Sequence, residues 1–204
     1  MAVAMETEIM RQLCMINKKK GRRMDEVHSG RKPRIIHLSG SAGAGKSTLA
    51  QLLREDPAYE DLLIKDTDEL SWHFNNTDPL LFVQQLKEGI VDWIAGQDQD
   101  ILLVGILDIT CAGKTHAVDM REITTHLFFL DVPIERLLHQ FYSRLATHVA
   151  DDIFWGDVAE DTHRVPSSAD IVALNDVARE MHRSMGYALV TPVKFLRKLH
   201  KLLK

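Results

Sequence analysis

The chain has 204 residues, 45% hydrophobic and 26% charged, with two cysteines and a net charge of −4, the composition of one globular domain burying roughly 70% of its unfolded surface. No apolar run approaches the ~18 residues of a membrane span, and Cys14 and Cys111, far apart and outside C-x-x-C spacing, argue against a disulfide framework or a zinc site and for a reducing, cytoplasmic setting. Of 25 basic and 29 acidic residues, nine and four fall in residues 1–34, so the acidic remainder is a poor ligand for nucleic-acid backbones, which clustered Lys and Arg would bind.

Residues 1–33 are expected to be a basic, flexible N-terminal arm, followed by one domain over 34–204. Within the arm, Lys18-Lys19-Lys20-Gly21-Arg22-Arg23 reads either as a solvated tail or as a nuclear address or nucleic-acid contact. Glu6 and Glu8 argue against an organelle transit peptide, and residues 1–17 lack the apolar stretch of a secretory signal. From Arg34 onward, short apolar runs alternate with longer helical patterns, the signature of crossover units and a parallel sheet. Strands are expected at Arg34–Leu38, Leu62–Lys65, Ile101–Leu107, Leu127–Leu130 and Tyr187–Val190. Helices are expected at Lys46–Arg54, Leu80–Ala95, Ile134–Thr147, Ser168–Met185 and Val193–Leu203, with Pro79, Pro133 and Pro192 near three of their starts, where a missing N–H costs little.

The first strand runs into Gly40-Ser41-Ala42-Gly43-Ala44-Gly45-Lys46-Ser47-Thr48, a complete G-x-x-x-x-G-K-[ST] pattern between a strand and a helix. This is the setting of a P-loop for a nucleoside triphosphate. Its glycines let backbone amides converge on phosphate oxygens, and the following helix adds the positive end of its dipole. Lys46 would reach the β- and γ-phosphates, and Ser47 would offer its hydroxyl to Mg²⁺. A second Gly-Lys-Thr, at Gly113-Lys114-Thr115, has Asp108 where the first glycine is needed and is read as coincidence.

The second strand ends in Asp66-Thr67-Asp68, which places two carboxylates at the carboxyl edge of the sheet, where open α/β sheets bind ligands. Here the chain resembles the P-loop small-molecule kinases, the group of shikimate, gluconate, nucleoside and nucleoside monophosphate kinases. The resemblance spans 34–204 as an order of elements, with motif matches at the P-loop and Asp66-Thr67-Asp68. It implies a three-layer α/β fold, a five-stranded parallel sheet flanked by helices with a lid segment, and an ATP- and Mg²⁺-dependent phosphotransferase. By that likeness Asp66 orients magnesium-bound water, and Asp68 holds and helps deprotonate the acceptor. The chemistry supports this independently, since an attacking hydroxyl must be aligned in line and lose its proton. The plainer reading is that either Asp caps the next helix.

Asp108, closing the apolar third strand, is a candidate acid for magnesium-bound water, and Gly105 within that strand marks a close approach or a bulge. Asp131-Val132-Pro133-Ile134-Glu135-Arg136 looks like the turn before a lid-bearing helix. Arg136 and Arg144 on that helix are candidates to neutralise charge on the triphosphate, the alternative being surface ion pairs. The polar connector over 148–167 has the length of a lid, and a kinase needs one to exclude water, although this one is acidic where nucleoside monophosphate kinase lids are Arg-rich. Thr191-Pro192 falls where related kinases wrap a loop around the base.

No arginine occurs between Arg54 and Arg121. An anionic acceptor is usually held by forked guanidinium groups, which Lys replaces poorly, so a neutral hydroxyl acceptor is expected. Ser71-Trp72-His73-Phe74-Asn75-Asn76 mixes aromatic faces with amides, as suits a nucleoside, a sugar or another alcohol. A nucleoside monophosphate kinase and a non-kinase nucleotide switch or adaptor are the competing readings; a switch GTPase would show Asn-Lys-x-Asp, which the sequence lacks.

Overall fold

The computed structural model describes residues 31–71, 79–111, 114–147 and 166–204. Five strands form a parallel sheet: β1 (Ile35–Ser39), β2 (Leu62–Asp66), β3 (Asp100–Val104), β6 (His126–Leu130) and β7 (Ala188–Val190), in the order β2-β3-β1-β6-β7. β1 is central, with Ile36 opposite Leu102 on one side and His126 on the other. Strands buried on both faces need apolar residues at successive positions, and β3, Asp-Ile-Leu-Leu-Val, is buried throughout.

Alternate residues of each strand serve two cores. On one face Ile36, Leu38, Leu102, Val104, Phe128 and Leu130 pack with Leu49 and Leu53 of α1 (Lys46–Glu55), and with Phe195, Leu196 and Leu199 further along the chain. On the other, Ile101 and Leu103 meet Leu86 and Ile90 of α3 (Pro79–Ala95). α4 (Ile134–Thr147), α5 (Ser168–Ser184) and α6 (Pro192–Leu202) complete the helices. Two of these helices carry their own start signals: Ser167 and Asp170 form a capping box on α5, and Thr191 caps α6 with Pro192 in its first turn. Among the described residues no helix is long and apolar enough to cross a membrane.

The five expected strands and five expected helices are present, with ends shifted by a residue or so except in the third strand. That strand ends at Val104 and not at Leu107. Beyond Gly105 the chain leaves the sheet, and Val118 N–H donates to the Leu107 carbonyl at 2.8 Å, closing an antiparallel hairpin of β4 (Asp108–Cys111) and β5 (Lys114–Ala117). Asp108 therefore starts a hairpin strand and does not close a sheet strand. The segment Cys111-Ala112-Gly113-Lys114, between β-branched runs, carried a hairpin signal. A short α2 (Asp68–Ser71) starts where the plainer reading of the Asp pair put a helix start, though it is absent from the five expected helices, and a 3-10 turn (Pro57–Tyr59) was not expected.

At the amino edge of the sheet, Asp100 accepts from both Arg31 and Arg34, with contacts of 2.6–3.0 Å. Burial pushes the Asp100 carboxyl up, but hydrogen bonds from Arg34 and Arg31 outweigh it and hold the group below the usual carboxylate range. Arg31, two residues before the expected end of the arm, is thus already in contact with the sheet. Residues 1–30, with the basic cluster, lie outside the described residues.

Candidate functional site

β1 delivers the chain into the glycine-rich loop at the carboxyl edge of the sheet. Gly43 and Gly45 adopt φ of 80° and 88°, left-handed conformations that a side chain resists. Ala44 N–H closes a turn on the Ser41 carbonyl at 3.0 Å. Gly45 is the N-cap of α1 and has no side chain to cap it, so the first-turn amides and the dipole end of α1 are presented to an anion. Lys46 Nζ donates to the Gly40 and Ser41 carbonyls at 2.7 and 3.1 Å. Phosphate oxygens would be stronger, charge-assisted acceptors in their place.

A cleft with about 120 Å³ of solvent space brings this loop together with the acidic pair: Ala42, Gly43, Gly45, Lys46, Ser47, Asp66, Asp68, Gly105 and Ile106 line it. Asp66 Oδ1 accepts from the Asp68 amide at 3.1 Å, so Asp66 does help start α2, while opening on the same cleft as Lys46. Burial, then the Asp66 carboxylate, raises the pKa of Asp68, against the opposing pull of Lys46. Among the described residues no three His, Cys, Asp or Glu group into a metal cage. This donor set fits Mg²⁺, which keeps its waters and leans on substrate phosphates, with the Ser47 hydroxyl and Asp66 at hand.

The acidic pair is set against β3 by a close backbone approach. Asp66 pairs with Val104, and Thr67 N–H donates to the Val104 carbonyl at 2.8 Å. A Cβ on Gly105 would lie 1.8 Å from Thr67 Oγ1, so only glycine lets Thr67 seat there. Of the two roles open to Gly105 in the sequence, close approach applies, and the partner is backbone and side chain of this chain.

Beneath the cleft lies a polar network without a sequence signature. His37, fully buried on β1, meets the Gly105 carbonyl through Nε2 at 3.2 Å and the Tyr187 hydroxyl through Nδ1 at 2.7 Å. A carbonyl only accepts, so Nε2 carries the proton and Nδ1 accepts from Tyr187. Burial is the main reason its pKa falls to about 3, with the Gly105 hydrogen bond opposing and His182 and Lys46 adding to the fall. By the same logic His182 donates from Nδ1 to the Ala178 carbonyl at 2.8 Å and accepts at Nε2 from the Ser39 hydroxyl at 2.8 Å. Its pKa too is lowered by burial, and both rings are neutral.

Arg136 sits over the loop, its guanidinium 3.8 Å from where a Cβ on Gly45 would lie. Arg144 lies on α4 and Asp108 at the start of β4, and both side chains fall outside the described residues, as do 72–78 and most of the expected lid. Gly40 packs on Leu130; Thr48 is exposed at the start of α1. A second cavity, about 520 Å³, opens at the carboxyl ends of β6 and β7 between Asp131, Pro133, Asn175, Arg179 and Thr191. The Arg179 guanidinium is fixed there by Asp131 at 3.2 Å.

A family model described as Zeta toxin matches residues 17–150, more than half of the chain. No curated protein matches in sequence. Among solved structures, shikimate kinase from Bacteroides thetaiotaomicron is 14% identical with a TM-score of 0.51, over 83% of this chain and 98% of that one. A gluconokinase from Sinorhizobium meliloti 1021 is 16% identical with a TM-score of 0.36, over 74% and 99%. A chain of the Pnkp1/Rnl/Hen1 RNA repair complex is 14% identical with a TM-score of 0.44, over 78% of this chain and 49% of its own, so the present chain spans about half that length. The likeness to shikimate kinase is one of fold: a five-stranded parallel sheet flanked by helices.

Proposed function

We propose, from the premise that the chain belongs to the Zeta toxin family and has a P-loop kinase-like fold, that it transfers the γ-phosphoryl group of ATP to a hydroxyl of a small neutral molecule. The observation that carries this reading is the opening of Asp66 and Asp68 onto the same cleft as Lys46 and Ser47. A nucleotide-binding switch needs one aspartate beside the phosphates for magnesium, and Asp66 would serve that; the second carboxylate, Asp68, favours transfer to an alcohol, which requires a group there to take a proton.

In this mechanism the β- and γ-phosphates occupy the loop from Gly40 to Thr48, and Lys46 leaves the Gly40 and Ser41 carbonyls to meet them. Magnesium, held by the Ser47 hydroxyl and through water by Asp66, would neutralise charge on the phosphate oxygens. The acceptor hydroxyl donates its hydrogen bond to Asp68, whose raised pKa makes it a better base than an ordinary carboxylate. As the acceptor oxygen forms its bond to the γ-phosphorus, the bond to the β–γ bridging oxygen breaks. The proton passes to Asp68, and ADP departs. Arg136, over Gly45, and Arg144, on the same helix, steady the charge of the transferring group. The base lies toward the cavity at β6 and β7, near Thr191. The stretch without arginine between Arg54 and Arg121 favours an uncharged acceptor, a nucleoside or a sugar.

Coupled ADP release across nucleosides, nucleoside monophosphates and sugars tests the reading. Stimulation by one neutral class, abolished in Lys46→Ala with the fold retained by circular dichroism, is the expected result. Stimulation by monophosphates alone would move the assignment to a nucleoside monophosphate kinase, and ADP release indifferent to every acceptor would overturn the transfer mechanism.

A further inference from the structure

One face of α5 carries three polar residues at helical spacing, Asn175, Arg179 and His182, which fall on a single stripe. All three reach the strand ends around the phosphate loop. The Ser41 hydroxyl, second residue of the loop, donates to Asn175 Oδ1 at 2.7 Å. Arg179 pairs with Asp131, just beyond β6, and His182 accepts from Ser39, just before the loop. Asn175 and His182 are only 8% and 4% exposed, so their contacts are largely shielded from competing water, while the Arg179–Asp131 pair is partly open to it. The stripe faces the cradle, while Leu174 and Val177 on the same helix are exposed.

We infer that Asn175 is a positioning residue for nucleotide binding: it holds Ser41, and through it the phosphate loop, in its binding conformation. The inference rests on the nucleotide-binding part of the reading above. The carbonyls of Gly40 and Ser41 are gathered around Lys46 Nζ. Once Lys46 leaves them for the phosphates, the loop loses that tie. Among the described residues Ser41 is also held by the turn to Ala44 N–H and by the hydroxyl bond to Asn175, which is anchored on a different helix and does not depend on Lys46. A loop that keeps its shape as Lys46 moves binds without a fresh ordering cost, which is how preorganisation raises affinity. A neutral hydrogen bond of this kind corresponds to about a threefold to tenfold effect on binding.

The test is calorimetric titration of Mg·ATP into wild type, Asn175→Ala, Ser41→Ala and the double variant, with Val177→Ser as a control on the exposed face of α5. Each single variant is expected to weaken binding about threefold to tenfold, and the double variant no further than either single, because both remove one interaction. The control should bind as wild type does. Wild-type affinity in Asn175→Ala, or additive losses in the double variant, overturns the inference. Should Asn175→Ala fail to fold, Ser41→Ala alone still decides, since unchanged affinity there removes the proposed link. Failure of wild type to bind Mg·ATP would instead remove the nucleotide site, and the inference with it. Binding without transfer would leave the inference standing while the kinase reading fell.

Discussion

Gly105→Ala puts the assembly of the site to a direct test. The new Cβ would stand 1.8 Å from Thr67 Oγ1, 3.0 Å from Thr67 Cβ and 3.3 Å from Thr67 N, at a φ of +150° that side chains adopt with strain. Ordinary contact begins near 3.5 Å, so the hydroxyl or its backbone must give way by about 1.7 Å. Thr67 is 1% exposed and has little free volume into which to rotate. Overpacking of this kind costs about 1–3 kcal/mol, a fall in melting temperature of roughly 2–4 °C per kcal/mol at this chain length. The functional effect should be larger, because Thr67 sits between Asp66 and Asp68. Displacing a catalytic group by an ångström lowers turnover on the order of 100-fold. ATP affinity, set mainly by the loop, should change far less. Steady-state kinetics beside calorimetry separates the two, and Thr67→Ala on the Gly105→Ala background should restore part of the turnover. Unimpaired turnover in Gly105→Ala would refute the account, and absence of rescue by Thr67→Ala would assign the damage to backbone strain at 105.

Other perturbations address the electrostatics. The acid limb of kcat/KM should lie above the usual carboxylate range, because burial and the Asp66 charge raise Asp68. Asp66→Asn should move that limb to lower pH, and an unmoved limb would count against Asp68 as the base. Acid should also destabilise the fold through His37, whose folded pKa of about 3 lies below the unfolded 6.5. The unfolded chain takes up the proton first, so stability is full above pH 6.5 and is lost as pH falls toward 3. At pH 5 this amounts to about 2 kcal/mol. Urea titrations from pH 7 to 5 should show the loss in wild type and a smaller pH dependence in His37→Gln, with equal slopes refuting the assignment.

The sequence made the sheet legible because buried parallel strands and capped helices announce themselves locally. Ile101-Leu102-Leu103-Val104 could only be an interior strand, and Pro133 and Thr191-Pro192 mark helix starts within a residue. The phosphate loop was equally plain, since its glycines, Lys46 and Ser47 are contiguous. The turn away from the sheet at Gly105 was not, because Ile106 and Leu107 continue the apolar run and only their partners reveal that the chain has left. Asn175, His182 and Tyr187 were beyond reach for another reason. Each meets its partner across more than 130 positions, and a helix bearing Asn, Arg and His at intervals of three and four looks, in isolation, like any solvated surface.

The strand order separates two kinds of specificity in space. With β1 in the middle, the acidic pair hangs from β2 on one flank, and the turn after β6 and the residue after β7 hang from the other. On the proposed reading, choice of acceptor and choice of base would be exercised on opposite sides of a shared phosphate seat, by segments with no strand in common. Replacing the residues between β2 and α3 should redirect the protein to a different alcohol while its nucleotide preference survives, so that new acceptor ranges can be grafted onto this scaffold one flank at a time.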